Sequence, residues 1–293
     1  MKIASLQETA PRAGGRAIAL GVFDGVHLGH RRVIDGADSV LTFEPHPMSV
    51  LAPERAPLLL TGLERKAELA AQVGAQELIV IPFDRAFSQL SAQEFIDQVL
   101  IERLGAASVA VGENFRFGHG AKGDAPMLAA DPRFAVAVHP LLALDGQVIS
   151  STRVRELIAG GDVAGAARLL GDTFQLRGTV VEGDRRGREL GFPTANIVPD
   201  PGYARPAHGV YAALCDGRPA AVNIGVRPTF DDAQGELVEV HVLDFDGDLY
   251  GRELHVDFVE RLRGEERFDD VAQLVEQMEQ DVAQAASLLQ TAG

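Results

Sequence analysis

Up to about residue 171, short apolar runs bounded by Gly or Pro alternate with stretches of helical periodicity. The runs at 17–22, 40–43, 78–83 and 108–111 have the length and continuity of strands buried on both faces. Between them, 63–73 puts Leu63, Ala67, Ala70 and Ala71 on one helix face. Ser91-Ala92-Gln93-Glu94 is a capping box ahead of Phe95, Val99 and Leu100. This β-α-β-α order predicts a Rossmann-like α/β/α layer around a parallel sheet, with ligands at the carboxyl ends of the strands. Two further helices are expected at 151–159, ended by Gly160-Gly161, and at 162–170, ended by Gly171.

Beyond Gly171 the rhythm changes. Strand-like segments at 175–182, 209–215, 220–224, 237–245 and 253–259 are separated by turn residues, and Asp216-Gly217 and Asp246-Gly247 are hairpin signals. A polar-apolar helix over 269–289 closes the chain. The expected organisation is an α/β domain over 1–171 and, over 172–293, a small antiparallel β-barrel with a terminal helix.

Composition narrows the function classes. The 293 residues suit two domains, and 46% are hydrophobic, enough for two cores. No signal peptide and no membrane-spanning run is evident, and Cys215 is the only cysteine, so no internal disulfide can form. These features favour the cytoplasm. With 27 Lys+Arg against 42 Asp+Glu the formal net charge is −15, which argues against nonspecific nucleic-acid binding. Small phosphate ligands need only a local patch of backbone N–H groups, Arg and a metal ion.

Gly21-Val22-Phe23-Asp24-Gly25-Val26-His27-Leu28-Gly29-His30 follows a predicted strand and precedes a predicted helix. His27 and His30 fall on one side of a helical turn. Gly25 and Gly29 let backbone approach a ligand, and the helix start adds free N–H groups. Two imidazoles placed there can donate to phosphate and to the charge that develops in phosphoryl or nucleotidyl transfer. A tight turn with incidental histidines, or a metal pair, fits the same spacing. Further on, Ile149-Ser150-Ser151-Thr152-Arg153-Val154-Arg155 opens a helix with hydroxyls that can cap it or bind phosphate and arginines that can clamp phosphate.

Gly187-Arg188-Glu189-Leu190-Gly191-Phe192-Pro193-Thr194-Ala195-Asn196 is the strongest single signal. Pro193 biases Phe192 toward extended backbone, and Thr194 and Asn196 then share one side. Their hard oxygens suit Mg²⁺. Gly178, Gly183, Gly187 and Gly191 are expected on loops around this point. In Leu237-Val238-Glu239-Val240-His241-Val242-Leu243 the alternation sets Glu239 and His241 opposite the valines. Taken alone, a strand glutamate is more often solvated than catalytic, but one among apolar neighbours can serve as a general base. His46, His119, His139, His208 and His255 show no metal-ligand spacing, and Asp231-Asp232 and Asp244-Phe245-Asp246-Gly247-Asp248 read as acidic turns.

The His-x-Gly-His and Ile-Ser-Ser-Thr-x-x-Arg words together resemble the nucleotidylyltransferase superfamily. With Thr42-Phe43-Glu44-Pro45-His46-Pro47 and Val111-Gly112-Glu113-Asn114-Phe115-Arg116-Phe117-Gly118, the first half resembles the FMN adenylyltransferase part of bacterial bifunctional riboflavin kinase/FAD synthetases. Phe192-Pro193-Thr194-Ala195-Asn196, Asn223-Ile224-Gly225-Val226-Arg227-Pro228-Thr229-Phe230, Glu239-Val240-His241 and Leu249-Tyr250-Gly251 resemble riboflavin kinase in matching order. The resemblance runs from about Ile18 to the C-terminus. It implies phosphorylation of riboflavin to FMN, then adenylylation of FMN to FAD, each from ATP. It further implies His27 and His30 on ATP phosphates within the Gly21, Phe23, Asp24, Gly25, Gly29 turn, and Asn114 in the substrate or metal shell. Ser151, Thr152, Arg155 and Asp162 would stand on the nucleotide side. Gly187, Gly191, Pro193, Thr194 and Asn196 would surround Mg²⁺-ATP, Glu239 would be the base, and the barrel would be a six-stranded split barrel. Asp162 fits a helix N-cap equally well.

One departure stands out. Only residues 31–41 separate His30 from Thr42, where members of the resembled family carry a clearly longer helix, and counting from Phe23 to Asp38 gives 16 residues, close to the dozen or more that a parallel crossover needs. The helix after His30 is therefore expected to be about two turns or less. A kinase with a degenerate first domain, a non-catalytic flavin-binding protein, and an adenylyltransferase for another acceptor such as phosphopantetheine are the alternatives. Oligomeric state is left open by the sequence.

Overall fold

The computed structural model describes residues 1–182, 191–226 and 236–290. It divides into two compact units, Met1–Ser151 and Thr152–Gly293.

The first unit is built on β1 (Lys2–Ser5), β2 (Arg16–Leu20), β3 (Ser39–Glu44), β4 (Glu77–Pro82), β5 (Ala106–Gly112) and, after the two-residue ribbon β6 (Arg116–Phe117) and β7 (Gly123–Asp124), β8 (Ala135–His139). A second ribbon, β9 (Ala143–Leu144) with β10 (Gln147–Val148), follows. The sheet order is β1-β4-β3-β2-β5-β8, with every pair parallel. From β2 the chain adds β3 and β4 on one side and later β5 on the other. The strand order thus reverses at β2, where ligands of such sheets collect. Residues of β2 alternate between two cores. Ile18 and Leu20 pack with Phe95 and Leu100 on one face, and Ala19 packs with Ile34, Ala67 and Ala70 on the other.

The helices of this unit are α1 (Leu28–Ile34), α2 (Pro47–Leu51), α3 (Leu63–Gln72), α4 (Ala92–Glu94) and α5 (Ala125–Ala129). Both reciprocal bonds of the capping box form at α4, Glu94 N to Ser91 Oγ at 3.1 Å and Ser91 N to Glu94 Oε2 at 2.8 Å. The chain then widens into a π-helix over Phe95–Arg103. The crossover helix α1 has seven residues, the length the short spacing allows. The edge strands β1 and β8 were not expected. Both are partly exposed and so lack the continuous apolar run that marks β2 to β5.

The second unit holds β11 (Phe174–Val181), β12 (Ala195–Pro199), β13 (Gly209–Cys215), β14 (Arg218–Val226), β15 (Glu236–Val242) and β16 (Glu253–Arg263), closed into an antiparallel barrel in the order β11-β12-β15-β14-β13-β16. Two helices precede it, α6 (Ser151–Gly160) and α7 (Val163–Leu170). Sequence reading puts the boundary after them, at Gly171. Contacts place it before them, because α7 lays its buried Val163, Ala166, Leu169 and Leu170 on β11 and β16, and Ala207 N bonds Ile158 O at 3.2 Å. The last helix, α8 (Val271–Gln290), packs Ala285 and Leu289 against Ala212 and Ala221. Buried Asp281 on α8 grips Arg263 through Oδ2–Nη2 at 2.7 Å and Oδ1–Nε at 3.0 Å.

Two expectations change here and one holds. Asp216-Gly217 does turn a hairpin, with both residues at positive φ. Asp246-Gly247 does not, because β15 pairs with β12 and β14 while β16 pairs with β11 and β13. Gly178 is not on a loop. It lies inside β11, paired with Pro199 and Leu254, and a Cβ there would stand 2.2 Å from Ile197 Cγ2 and 2.9 Å from Val198 O. Gly178→Ala is therefore expected to lower stability by about 1–3 kcal/mol through overpacking, read from the urea midpoint.

Candidate active sites

In the first unit the site turn runs from the end of β2 into α1, at the reversal of strand order. Phe23 and Val26 are buried non-glycine residues at φ 53° and 41°, a strained backbone of the kind found where function fixes the chain. Gly25 takes φ 84°. Gly29 leaves room for the ring, since a Cβ there would lie 3.2 Å from His27 Cε1 and the imidazole would have to give way by a few tenths of an ångström. Asp24, 3% exposed, is turned inward, and its Oδ1 accepts from Leu60 N at 2.9 Å and Thr61 N at 3.2 Å. Gly25 N donates to Thr61 Oγ1 at 3.0 Å, and Ser151 Oγ donates to Asp24 O at 2.9 Å. In this structure Asp24 and the Ser151 hydroxyl therefore hold the turn in place.

His27 caps α1, its Nδ1 accepting from His30 N at 3.2 Å. That bond leaves Nε2–H as the donor of the neutral ring. The two imidazoles stack at 3.6 Å, and Phe23 meets His30 edge-on at 5.3 Å. Burial pushes His27 down to about 4. Burial also holds His30 well below its ordinary value, with His27 and then Lys66 adding to the effect. Both rings are neutral near pH 7, which makes them donors and not cations. Asn114 stands exposed in the turn after β5, beside the same strand-order reversal. A run of phenylalanines flanks that end of the sheet. Phe43–Phe83, Phe83–Phe87, Phe87–Phe95, Phe95–Phe117 and Phe117–Phe115 have centroid separations of 5.4–6.2 Å.

Thr152, Arg155 and Asp162 fall in the second unit. Thr152 is exposed and Arg155 half-buried on α6. Asp162 is the N-cap of α7, with Oδ1 accepting from Gly165 N at 2.7 Å.

In the barrel a cavity of about 420 Å³ opens between β12, β15 and the segment after β15. Pro193, Thr194 and Asn196 line it, together with Phe245, Asp246, Asp248 and Tyr250. The turn carrying those two aspartates thus forms a wall of the cavity, which sequence reading did not foresee. Strand register sets the chemistry. Asn196 of β12 and Asn223 of β14 both pair with Glu239 of β15. Asn223 Nδ2 donates to Glu239 Oε2 at 3.2 Å. Val238, Val240 and Val242 point into the core, leaving Glu239 half-buried opposite them. His241 Nδ1 donates to Pro193 O at 2.8 Å and meets Phe192 edge-on, fastening the Thr194 segment to β15. Gly191 takes φ 91°. Gly183, Gly187, Arg227 to Phe230 and Asp231-Asp232 lie outside the described residues. Cys215 is buried, and burial raises its thiol to about 11, so it stays protonated. Among the described residues no cluster of three or more His, Cys, Asp or Glu could hold a metal, and no helix is long and apolar enough to cross a membrane.

A parallel sheet with a histidine pair at its switch point, and a barrel whose cavity is lined by Asn196, one of the two asparagines that flank its strand carboxylate, define a two-module transferase of phosphate chemistry. The riboflavin kinase family matches residues 170–289 and the FAD synthetase family residues 9–153. The bifunctional riboflavin kinase/FMN adenylyltransferase of Escherichia coli K12 is 38% identical over 285 residues, covering 91% of this chain and 90% of its own length. That of Bacillus subtilis 168 is 36% identical over 287 residues, covering 92% and 90%. A crystal structure named as a macrolide-efflux protein of Streptococcus pneumoniae superposes with TM-score 0.85 at 30% identity, over 96% of this chain and 97% of its own. The chain belongs to the bifunctional riboflavin kinase/FMN adenylyltransferase family.

Proposed function

We propose that this enzyme phosphorylates riboflavin to FMN in its barrel unit and adenylylates FMN to FAD in its parallel-sheet unit, with ATP as co-substrate of both steps. The observation that carries the reading is that each unit presents its own phosphate-handling arrangement, built on unrelated architecture. In the first step Glu239 accepts the proton of the terminal ribityl hydroxyl as its oxygen attacks the γ-phosphorus, and ADP leaves. Asn223 donates to Oε2, which leaves Oε1 as the oxygen that takes the proton. The aspartate-bearing turn and Tyr250 line the same cavity as Thr194 and Asn196.

Thr194 and Asn196 fit a magnesium ion. They are neutral hard oxygens lining one cavity, and Mg²⁺ takes few protein ligands while ATP supplies the balancing charge. Bound there, the ion would offset charge on the transferring phosphate.

In the second step a phosphate oxygen of FMN attacks the α-phosphorus of ATP and pyrophosphate leaves. His27 and His30 donate to the phosphates at the start of α1, where free N–H groups add to the anion site. Asn114 is assigned to the substrate shell, and the partly exposed Phe83, Phe87 and Phe115 offer an apolar flank for the flavin ring. We place the enzyme in the cytoplasm, where riboflavin and ATP are both available. The test is incubation of the purified chain with riboflavin, ATP and Mg²⁺, with flavins separated by chromatography. FAD accumulating through FMN is the expected result. Appearance of neither product overturns the reading, and FMN alone removes the adenylyl half of it.

A further inference from the structure

His241 has no part in the chemistry proposed above, yet it stands two residues from Glu239 on the same face of β15. Its backbone pairs with Ala221 of β14. The ladder toward β12 ends one step earlier, at Ala195 with Val240. Thr194 is therefore the first residue beyond that ladder, and there the side chain of His241 takes over. Its Nδ1 lies 2.8 Å from Pro193 O, and its ring meets Phe192 edge-on with centroids 5.6 Å apart. Proline has no N–H, so its carbonyl is the backbone group through which a neighbour can hold it. A carbonyl only accepts, so the bond fixes a hydrogen on Nδ1. Thr194 thus sits between two anchors, the Ala195–Val240 pair on one side and the Pro193–His241 bond on the other.

We propose that His241 is a positioning residue for phosphoryl transfer, a side-chain clasp that holds Thr194 in place for MgATP. This rests on reading Thr194 and Asn196 as the MgATP site. Asn196 needs no clasp, because it lies inside the ladder opposite Glu239. Thr194 has the ladder on one side only. Without the bond to Pro193 O, the peptide ahead of it is free to turn, and its hydroxyl leaves the wall it shares with Asn196. Mg²⁺ takes few protein ligands, so the straying of one oxygen weakens the whole site. Glu239 keeps its place, since register with β12 and β14 sets it. The loss therefore falls on MgATP affinity far more than on proton transfer.

The test compares His241→Leu, which removes the donor, with His241→Asn, whose amide nitrogen takes the place of Nδ1. Both are made in the full chain. Slow amide exchange in β13 and β16, on the opposite wall of the same barrel, reports that this unit is folded. His241→Ala replaces the Leu variant if that one fails the check. In the ligand-free wild type at pH 8, nitrogen-15 NMR finds the hydrogen of the neutral His241 ring on Nδ1. In riboflavin phosphorylation at the same pH, the Leu variant raises KM for MgATP about tenfold, the size of one hydrogen bond. Its kcat falls by less than about threefold, and KM for riboflavin stays within about twofold. The Asn variant returns KM for MgATP to within about threefold of the wild type. Wild-type KM for MgATP in the Leu variant, a loss confined to kcat, an Asn variant no better than Leu, or a ring hydrogen on Nε2 overturns the proposal. The reading it rests on fails by a different result, a Thr194→Val variant whose dependence on MgATP matches the wild type.

Discussion

Glu239→Gln lowers riboflavin phosphorylation by about a thousandfold, the range expected when a general base is lost, and leaves conversion of added FMN to FAD near the wild-type rate. The substitution is nearly isosteric, and the amide can still pair with Asn223 by presenting its oxygen. Strand register and core valines are untouched, so folding stability should change by less than about 1 kcal/mol. What is lost is an acceptor for the hydroxyl proton. Following FMN and FAD separately, from riboflavin and from FMN, distinguishes this from a general loss of structure. A rate that stays within tenfold of the wild type would assign Glu239 to structure and leave the proton to solvent.

His27 has two jobs that substitution can separate. His27→Ala removes the imidazole and also the acceptor for His30 N, so FAD formation drops by about a hundredfold or more and about 1 kcal/mol of capping is lost. His27→Asn keeps a side-chain oxygen that can cap α1 while removing the ring. It should show the same loss of adenylylation with most of the stability regained. Thermal melts and FMN-to-FAD rates on both variants check the split. The wild-type ring, at about 4, stays neutral as pH falls toward 5.5, so its protonation does not limit the step over that interval. Recovery of adenylylation in the Asn variant would mean that the ring matters only as a cap.

The parts legible in the sequence are those whose partners are near in the chain. His27 and His30 share one helical turn, Thr194 and Asn196 share one extended stretch, and Glu239 stands out by alternation with three valines. Strands β2 to β5 announce themselves because both faces are buried. The edge strands β1 and β8 do not, since half of each faces water. The burial of Lys66 is not legible either, because helix periodicity scores apolar residues and a charged residue beside Ala67 reads as the solvent side. Asn223 and Asn196 became partners of Glu239 only through register between strands that are remote in sequence. Asp246-Gly247 carries the composition of a hairpin, but barrel order is decided by pairings the dipeptide cannot express. The boundary at Gly171 follows a good helix stop, whereas α7 belongs by packing to what comes after it.

The row Asn196–Glu239–Asn223 has a consequence for how such a chain can change over generations. Its spacing comes from adjacent strands, about 4.8 Å apart, and not from long side chains finding one another. Substitutions in the connecting loops leave that spacing alone. A single residue inserted into or deleted from β15 exchanges the two faces of the strand beyond that point. A valine would then stand where the carboxylate was, and the carboxylate would enter the core. The crossover after His30 closes through a seven-residue α1 whose connections can change length without moving strand register, while the barrel strands admit replacement but not change of length. Variation in this lineage should therefore gather as gaps in the first unit's connections and as substitutions in the second unit's strands.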